Sequence, residues 1–235
     1  MPVFLETPDR RHGIYERMNM IRMGSVGLVA FALLAGCNDP AKDKSKATTG
    51  EATTATASAA VTAAPSTGTA TYTIDPATSK VAWTGSKVTA SHDGSFEKFT
   101  GSVTVPDGAA EKGSVNVDID VTSLKADPQK LADHLKTPDF FDVAKFPKAT
   151  FASTAITKGG DKGATHTITG NLSLHGVTKS ITFPATIRPA ADKVEADAEF
   201  SINRKDFGLA YPGMANDLIR DDVVIKLTIR APKKA

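Results

Sequence analysis

The sequence predicts an all-β domain of about eight half-buried antiparallel strands, closed on one another as a barrel or a sandwich, with one short helix. Three observations lead there. Apolar and polar residues alternate with period two in run after run beyond residue 71, the pattern of strands with one buried face. Only one segment has helical character, and one short helix cannot cover so many half-buried strands, so their apolar faces must cover one another. Composition is that of a globular chain, 40% hydrophobic and 23% charged, with no repeat of solenoid length. The formal net charge of +2 argues against a nucleic-acid partner. A single cysteine, Cys37, excludes an internal disulfide framework and a cysteine-based zinc cluster.

Along the chain, the first 70 residues are not barrel. From Met20 to Cys37 the sequence reads MIRMGSVGLVAFALLAGC: a positive Arg22, an apolar run too short to span a bilayer, and small residues before the cysteine. This is an export signal over residues 1–36. Glu6, Asp9 and Glu16 suit no such signal, so translation is expected to start at Met18 or Met20. Leu34-Ala35-Gly36-Cys37 resembles the lipobox of bacterial lipoproteins. That resemblance implies cleavage after Gly36, acylation of Cys37 and a membrane anchor. Asn38 rather than aspartate after the cysteine favours the outer membrane, with the domain facing the periplasm. Between Asn38 and Ala70, 21 of 33 residues are Ala, Ser or Thr, too little bulky apolar surface to offset the entropy of ordering. Residues 37–70 are therefore expected to form a flexible tether that buries nothing, with an end-to-end reach of roughly 30–35 Å.

The strands follow in order. Alternation is loose at 80–88, clear at 99–105, and regular over Val115, Val117, Ile119 and Val121. Asp127 as N-cap and Pro128 at the first helical position then open a helix over QKLADHLK. Further strands are read at 149–156, 164–174, 180–187 and 194–202, and the last carries Val223, Ile225, Leu227 and Ile229. At 194–202 Glu195, Asp197 and Glu199 must face water, which turns Ala196, Ala198 and Phe200 inward. Gly85, Gly101 and Gly170 share the inward parity. So many small residues mean either a cavity or bulges and barrel corners, and alternation alone does not separate the two.

Five ordered motifs carry a family resemblance: DHLKTPDFFD at 133–142, then Lys145-Phe146-Pro147 with Thr150-Phe151, GNLSLHGVT at 170–178, SINRKDFG at 201–208 and DVVI at 222–225. Together, over about 71–232, they resemble the YceI-like family of bacterial extracytoplasmic proteins. The resemblance implies an eight-stranded, lipocalin-like antiparallel barrel over 71–235 whose apolar tunnel binds polyisoprenoid or another amphiphilic lipid, and it favours the cavity reading. By alternation the lining comprises Trp83, Phe99, Val117, Ile119, Ile168, Leu172 and Leu174, together with Phe183, Ile187, Phe200, Ile202, Ile225 and Leu227. Each buried methylene of a tail contributes on the order of 0.8 kcal/mol, so no polar contact is needed to hold it.

The polar and aromatic candidates are fewer. His166 and Arg204 have inward parity and are the candidate contacts for a lipid headgroup, although hydrogen-bonded core is the commoner use of each. His134 is expected to pin the helix through Asp139, and His175 to sit in a hairpin turn. These histidines have no metal-ligand spacing, so neither metal nor cofactor is expected. Phe140, Phe141 and Phe146 form either a hydrophobic seal or a lid over the tunnel mouth. No G-x-S-x-G elbow or paired-carboxylate motif supports an envelope lipid hydrolase. The expected protein is a non-catalytic lipid-binding lipoprotein, with an isoprenoid-quinone carrier for membrane electron transfer as the alternative.

Overall fold

The computed structural model describes residues 39–53 and 68–234; the expected export signal, Cys37 and the rest of the expected tether lie outside them. In chain order the elements are β1 (Ser45–Lys46), β2 (Thr48–Glu51), β3 (Thr69–Thr73), β4 (Lys80–Ser86), β5 (Ser91–Phe96), β6 (Phe99–Pro106), β7 (Ser114–Asp120) and β8 (Leu124–Ala126). Helix α1 (Gln129–Leu135) precedes β9 (Lys148–Lys158), β10 (His166–Leu174), β11 (Val177–Pro189), β12 (Lys193–Asn203), β13 (Gly213–Met214), β14 (Asp217–Leu218) and β15 (Asp222–Pro232). One strongly curled antiparallel sheet runs β3-β6-β7-β9-β10-β11-β12-β15-β4-β5-β8, and β13 and β14 form a separate ribbon. The curl brings β3 back to the end of β15, where Tyr72 bridges Lys233 and the Lys234 amide donates to the Thr71 carbonyl at 2.9 Å.

The eight strands read from alternation are the eight of seven residues or more: β4, β6, β7, β9, β10, β11, β12 and β15. Alternation translates directly into burial. Ile181, Phe183, Ala185 and Ile187 of β11 are buried, while the residues between them are partly exposed. On β12 the outward carboxylates pair with cations: Glu195 with Lys193 of the same strand, and from neighbouring segments Asp197 with Arg188 and Arg230 and Glu199 with Lys44 and Lys226. β5 escaped notice because SHDGSF carries little apolar signal; its backbone pairs with β4 and β8 instead. The helix begins one residue later than expected. Pro128, with extended φ and ψ, occupies the N-cap in place of Asp127, and no side chain caps the helix.

The expected tether is corrected over residues 39–53. β11 and β12 pair only from Thr186–Pro189 to Val194–Asp197. Beyond that point the two strands separate, and residues 45–51 fill the seam. Ser45 and Lys46 pair in parallel with Phe200 and Ser201 of β12, and Thr48–Glu51 pair antiparallel with 179–182 of β11. Ala47, 4% exposed, joins the main hydrophobic core, and its amide donates to the Ser201 carbonyl at 2.8 Å. Ion pairs fasten the strap along its length: Asp39 to Arg220, Lys44 to Glu199, Lys46 to Asp222 and Glu51 to Lys179. Composition missed this because ordering is driven by backbone groups that the open seam leaves to be paired, not by bulky side chains.

Candidate functional site

Nine strands of the curled sheet, β4 to β7, β9 to β12 and β15, direct apolar side chains into one cavity of about 160 Å³. Eleven of the thirteen expected lining residues border it, from Val117 and Ile119 on β7 to Ile225 and Leu227 on β15. Two do not. Phe99 is buried in the surrounding core, because its place on β6 sets it beside the cavity rather than against it. Trp83 packs instead in a second cluster with Leu124, Ala132, Leu135 and Phe140. Its indole lies over Gly94, its cross-strand partner, where a Cβ would collide with the ring.

Within the cavity Phe183 stacks on Phe200 with centroids 4.2 Å apart and planes 15° apart, and Phe151 meets Phe183 at 5.7 Å. Ala196 and Ala198 leave room beside these rings. The glycines do not line this cavity, and of the three only Gly170 marks a bulge. A Cβ on Gly170 would lie 2.5 Å from the Phe151 ring, at the bulge where β10 shifts register on β9. A Cβ on Gly101 would meet the Asn116 carbonyl at 2.5 Å, and Gly85 faces the Trp83 ring. Thr104 and Asp197 are the polar residues of the lining. The Asp197 carboxylate turns away toward Arg188 and Arg230, at 2.7 and 3.0 Å. Partial burial disfavours its charge, but those two guanidinium groups outweigh burial and hold it below the ordinary carboxylate range.

Neither expected headgroup contact borders this cavity. His166 is buried at one end of β10, with Nδ1 2.8 Å from the Thr165 hydroxyl. Arg204 is buried too, and its guanidinium donates to the carbonyl oxygens of Arg220, Leu209 and Ile219, with the Asp221 carboxylate at 3.5 Å. Burial pushes its pKa down, while Asp221 opposes the shift. So many committed donors make Arg204 a clasp between the turn after β12 and the segment before β15. The phenylalanines do not form one lid. Phe140 is buried against His134 and Tyr211, and Phe141 meets Phe96 edge-on at 6.0 Å. Phe146 stands apart against His175, at 4.7 Å. As expected, His134 bonds Asp139 at 3.0 Å, and His175 occupies a turn with φ of 51° ahead of Gly176.

Sequence reading missed a second apolar cleft of about 270 Å³, walled by Trp83, Leu131, Leu135, Phe140, Phe141 and Val223, with Ser86, Lys87, His92 and Arg204 also bordering it. Leu131 and Leu135, four apart on α1, were the available signal; Leu209 and Ile219 come from loops without periodicity.

The comparisons agree with this architecture. The YceI-like domain matches residues 72–231. A UPF0312 protein of Pseudomonas putida W619 is 33% identical over 139 residues, 57% of this chain and 71% of that protein. The protein YceI of Salmonella arizonae is 37% identical over 122 residues, 49% of this chain and 62% of its own. Among solved structures, BcnA of Burkholderia cenocepacia superposes with a TM-score of 0.59 at 28% identity, covering 67% of this chain and 99% of BcnA. A polyisoprenoid binding domain from Saccharophagus degradans has the same fold, with a TM-score of 0.55 at 16% identity, over 69% of this chain and 98% of that domain. With the domain matched across nearly the whole curled sheet, the chain belongs to the YceI-like family.

Proposed function

We propose that this chain is a non-catalytic lipid-binding protein of the bacterial cell envelope that holds the tail of a polyisoprenoid or similar amphiphilic lipid inside the curled sheet. One observation carries the reading: nine strands converge on a space walled almost wholly by apolar side chains, and the one carboxylate of the wall faces outward. Such a wall rewards hydrocarbon and nothing else. The shared fold with a polyisoprenoid binding domain supports the same ligand class. Acylation of Cys37 would anchor the protein, in the outer membrane by the Asn38 preference, with the domain facing the periplasm. Because Asp39, two residues after Cys37, is paired with Arg220 of the domain, that anchor would hold the domain at the membrane surface rather than at a coil's length from it. The test is mass spectrometry of organic extracts from the full mature protein purified from membranes. An isoprenoid or other long-chain lipid at near-stoichiometric yield is expected, and extracts empty of lipid would overturn the reading. For the anchor, palmitate label is expected on the wild type and absent from Cys37→Ser.

A further inference from the structure

Among the described residues three large apolar side chains are exposed, Met214 at 69%, Leu218 at 50% and Val88 at 48%. Exposed apolar residues normally lie scattered, but these three meet where the β13–β14 ribbon joins the turn between β4 and β5. The Val88 amide donates to the Leu218 carbonyl at 3.1 Å, and Lys87 bridges Ile219. From Tyr211 to Ile219 the only charged residue is Asp217. Its carboxylate accepts from the Thr89 amide and hydroxyl and pairs with Lys87, so the tip carries no unpaired charge that an apolar partner would have to desolvate. Register places Val88 and Leu218 on one face of the ribbon and Met214, opposite Asp217, on the other. One flat partner surface cannot cover apolar side chains on both faces of a thin ribbon. Hydrocarbon into which the tip sinks covers both.

The expected anchor arrives on the same side of the domain. Leu218, Ile219 and Arg220 wall one hollow together with Asp39, and Arg220 holds the Asp39 carboxylate at 3.2 Å. Two residues of chain separate Asp39 from Cys37, a reach of at most about 7 Å. Acyl chains on Cys37 would therefore enter a bilayer beside the ribbon. We propose that the ribbon and Val88 form a membrane-inserting wedge. Val88, Met214 and Leu218 sink into the leaflet that holds the acylated cysteine and so fix which face of the domain meets the bilayer. This assignment rests on the Cys37 anchor proposed above. The flanking charges are paired, Asp39 with Arg220, Asp221 with Lys205 and Asp222 with Lys46, so the contact is apolar rather than electrostatic.

Two measurements test the wedge. In the first, acylated mature protein in vesicles of phosphatidylethanolamine and phosphatidylglycerol carries an environment-sensitive dye on one introduced cysteine, Met214→Cys, Leu218→Cys or Ala191→Cys. The ribbon leaves from the Asn203–Asp222 end of the β12–β15 ladder, whereas exposed Ala191 lies beyond the other end of β12, eleven residues or about 36 Å away. Dyes at 214 and 218 are expected to shift to the blue and to be quenched by spin-labelled lipid, and the dye at 191 to report water. In the second, unanchored Cys37→Ser protein is floated with the same vesicles at high lipid concentration. Adding Val88→Ser, Met214→Ser and Leu218→Ser should lower its partition at least about tenfold, with little response to salt. The melting temperature should stay unchanged, because all three side chains are exposed. Ribbon dyes that stay in water, or a partition indifferent to the three serines, would overturn the wedge, while palmitate label on the wild type would still uphold the anchor. Absence of that label with the tenfold loss intact would refute the anchor and support the wedge. Blue-shifted dyes without vesicles, together with a dimer in sedimentation, would assign the patch to a second copy and overturn the bilayer as its partner.

Discussion

Two stretches of the cavity wall are built in different ways. Between β12 and β15 the ladder is continuous from Lys193 to Asn203 against Asp222 to Pro232. Between β11 and β12 the direct ladder covers four residues, and the remainder of the seam is closed by residues 45–51, from a part of the chain outside the matched domain. The first stretch is held by alternating burial and cross-strand packing. The second is held by backbone hydrogen bonds, two small buried side chains, Ser45 and Ala47, and a row of exposed ion pairs. The difference shows that a segment poor in apolar surface becomes ordered when an open edge supplies the partners that its own composition lacks.

Removing the strap should break the comparison most severely. A chain beginning at Gly68 loses the ladder over 45–51 and the Ala47 contact, and its melting temperature is expected to fall on the order of 5–10 °C. An unchanged melt would show that residues 39–51 contribute nothing to the wall. Ala47→Asp tests the same seam within the full chain. A carboxylate has no partner in that core, so the strap should detach and cost about 2–4 kcal/mol in urea unfolding, close to the deletion and no more than it. A much larger loss would mean that the substitution damages the barrel itself.

The continuous wall should respond in another way. Ala198→Phe points a ring into the cavity, and filling existing space is expected to shift the melting temperature by less than about 2 °C while lipid recovered with the protein drops severalfold. In a filled core the same change would cost about 1–3 kcal/mol through overpacking. Loss of stability without loss of lipid would therefore refute the cavity.

The smallest effect is electrostatic. Hydrogen bonds from Lys179 and Lys44 hold the Glu51 and Glu199 carboxyls below their ordinary range. Groups with depressed folded-state pKa values contribute above the unfolded value, about 4.3 for glutamate, and that contribution is lost as pH falls through the lower folded value. Amide exchange at residues 45–51 should therefore quicken, beyond its intrinsic pH dependence, as pH falls below about 4. Because these pairs are exposed, the change should be modest, and salt should weaken them at neutral pH. Exchange at 193–203, where the ladder is continuous, should move less. Equal acceleration at both sites would deny the strap its separate character.

Sequence alone determined the long strands, their inward faces and most of the cavity lining, because period two records which side of a strand meets water. Ala196, Ala198 and Phe200 were legible in this way, with acidic residues alternating between them. The packing of Trp83 and Gly170 was not. Their parity was read correctly as inward, but parity says nothing about position along the barrel axis, and Trp83 lies against the second cluster while Gly170 sits at a bulge. Arg204 likewise has the parity of a cavity residue and the surroundings of a clasp, since its partners come from 209 to 221 and gather only in the fold. The order of residues 39–53 and the second cleft were decided by tertiary structure alone. Each depends on groups distant in sequence, an unpaired seam between β11 and β12 in one case and loop residues closing over α1 in the other. The first leaves no periodic trace and the second only Leu131 and Leu135 on α1, because periodicity reports how a segment meets solvent, not what a remote part of the chain supplies to it.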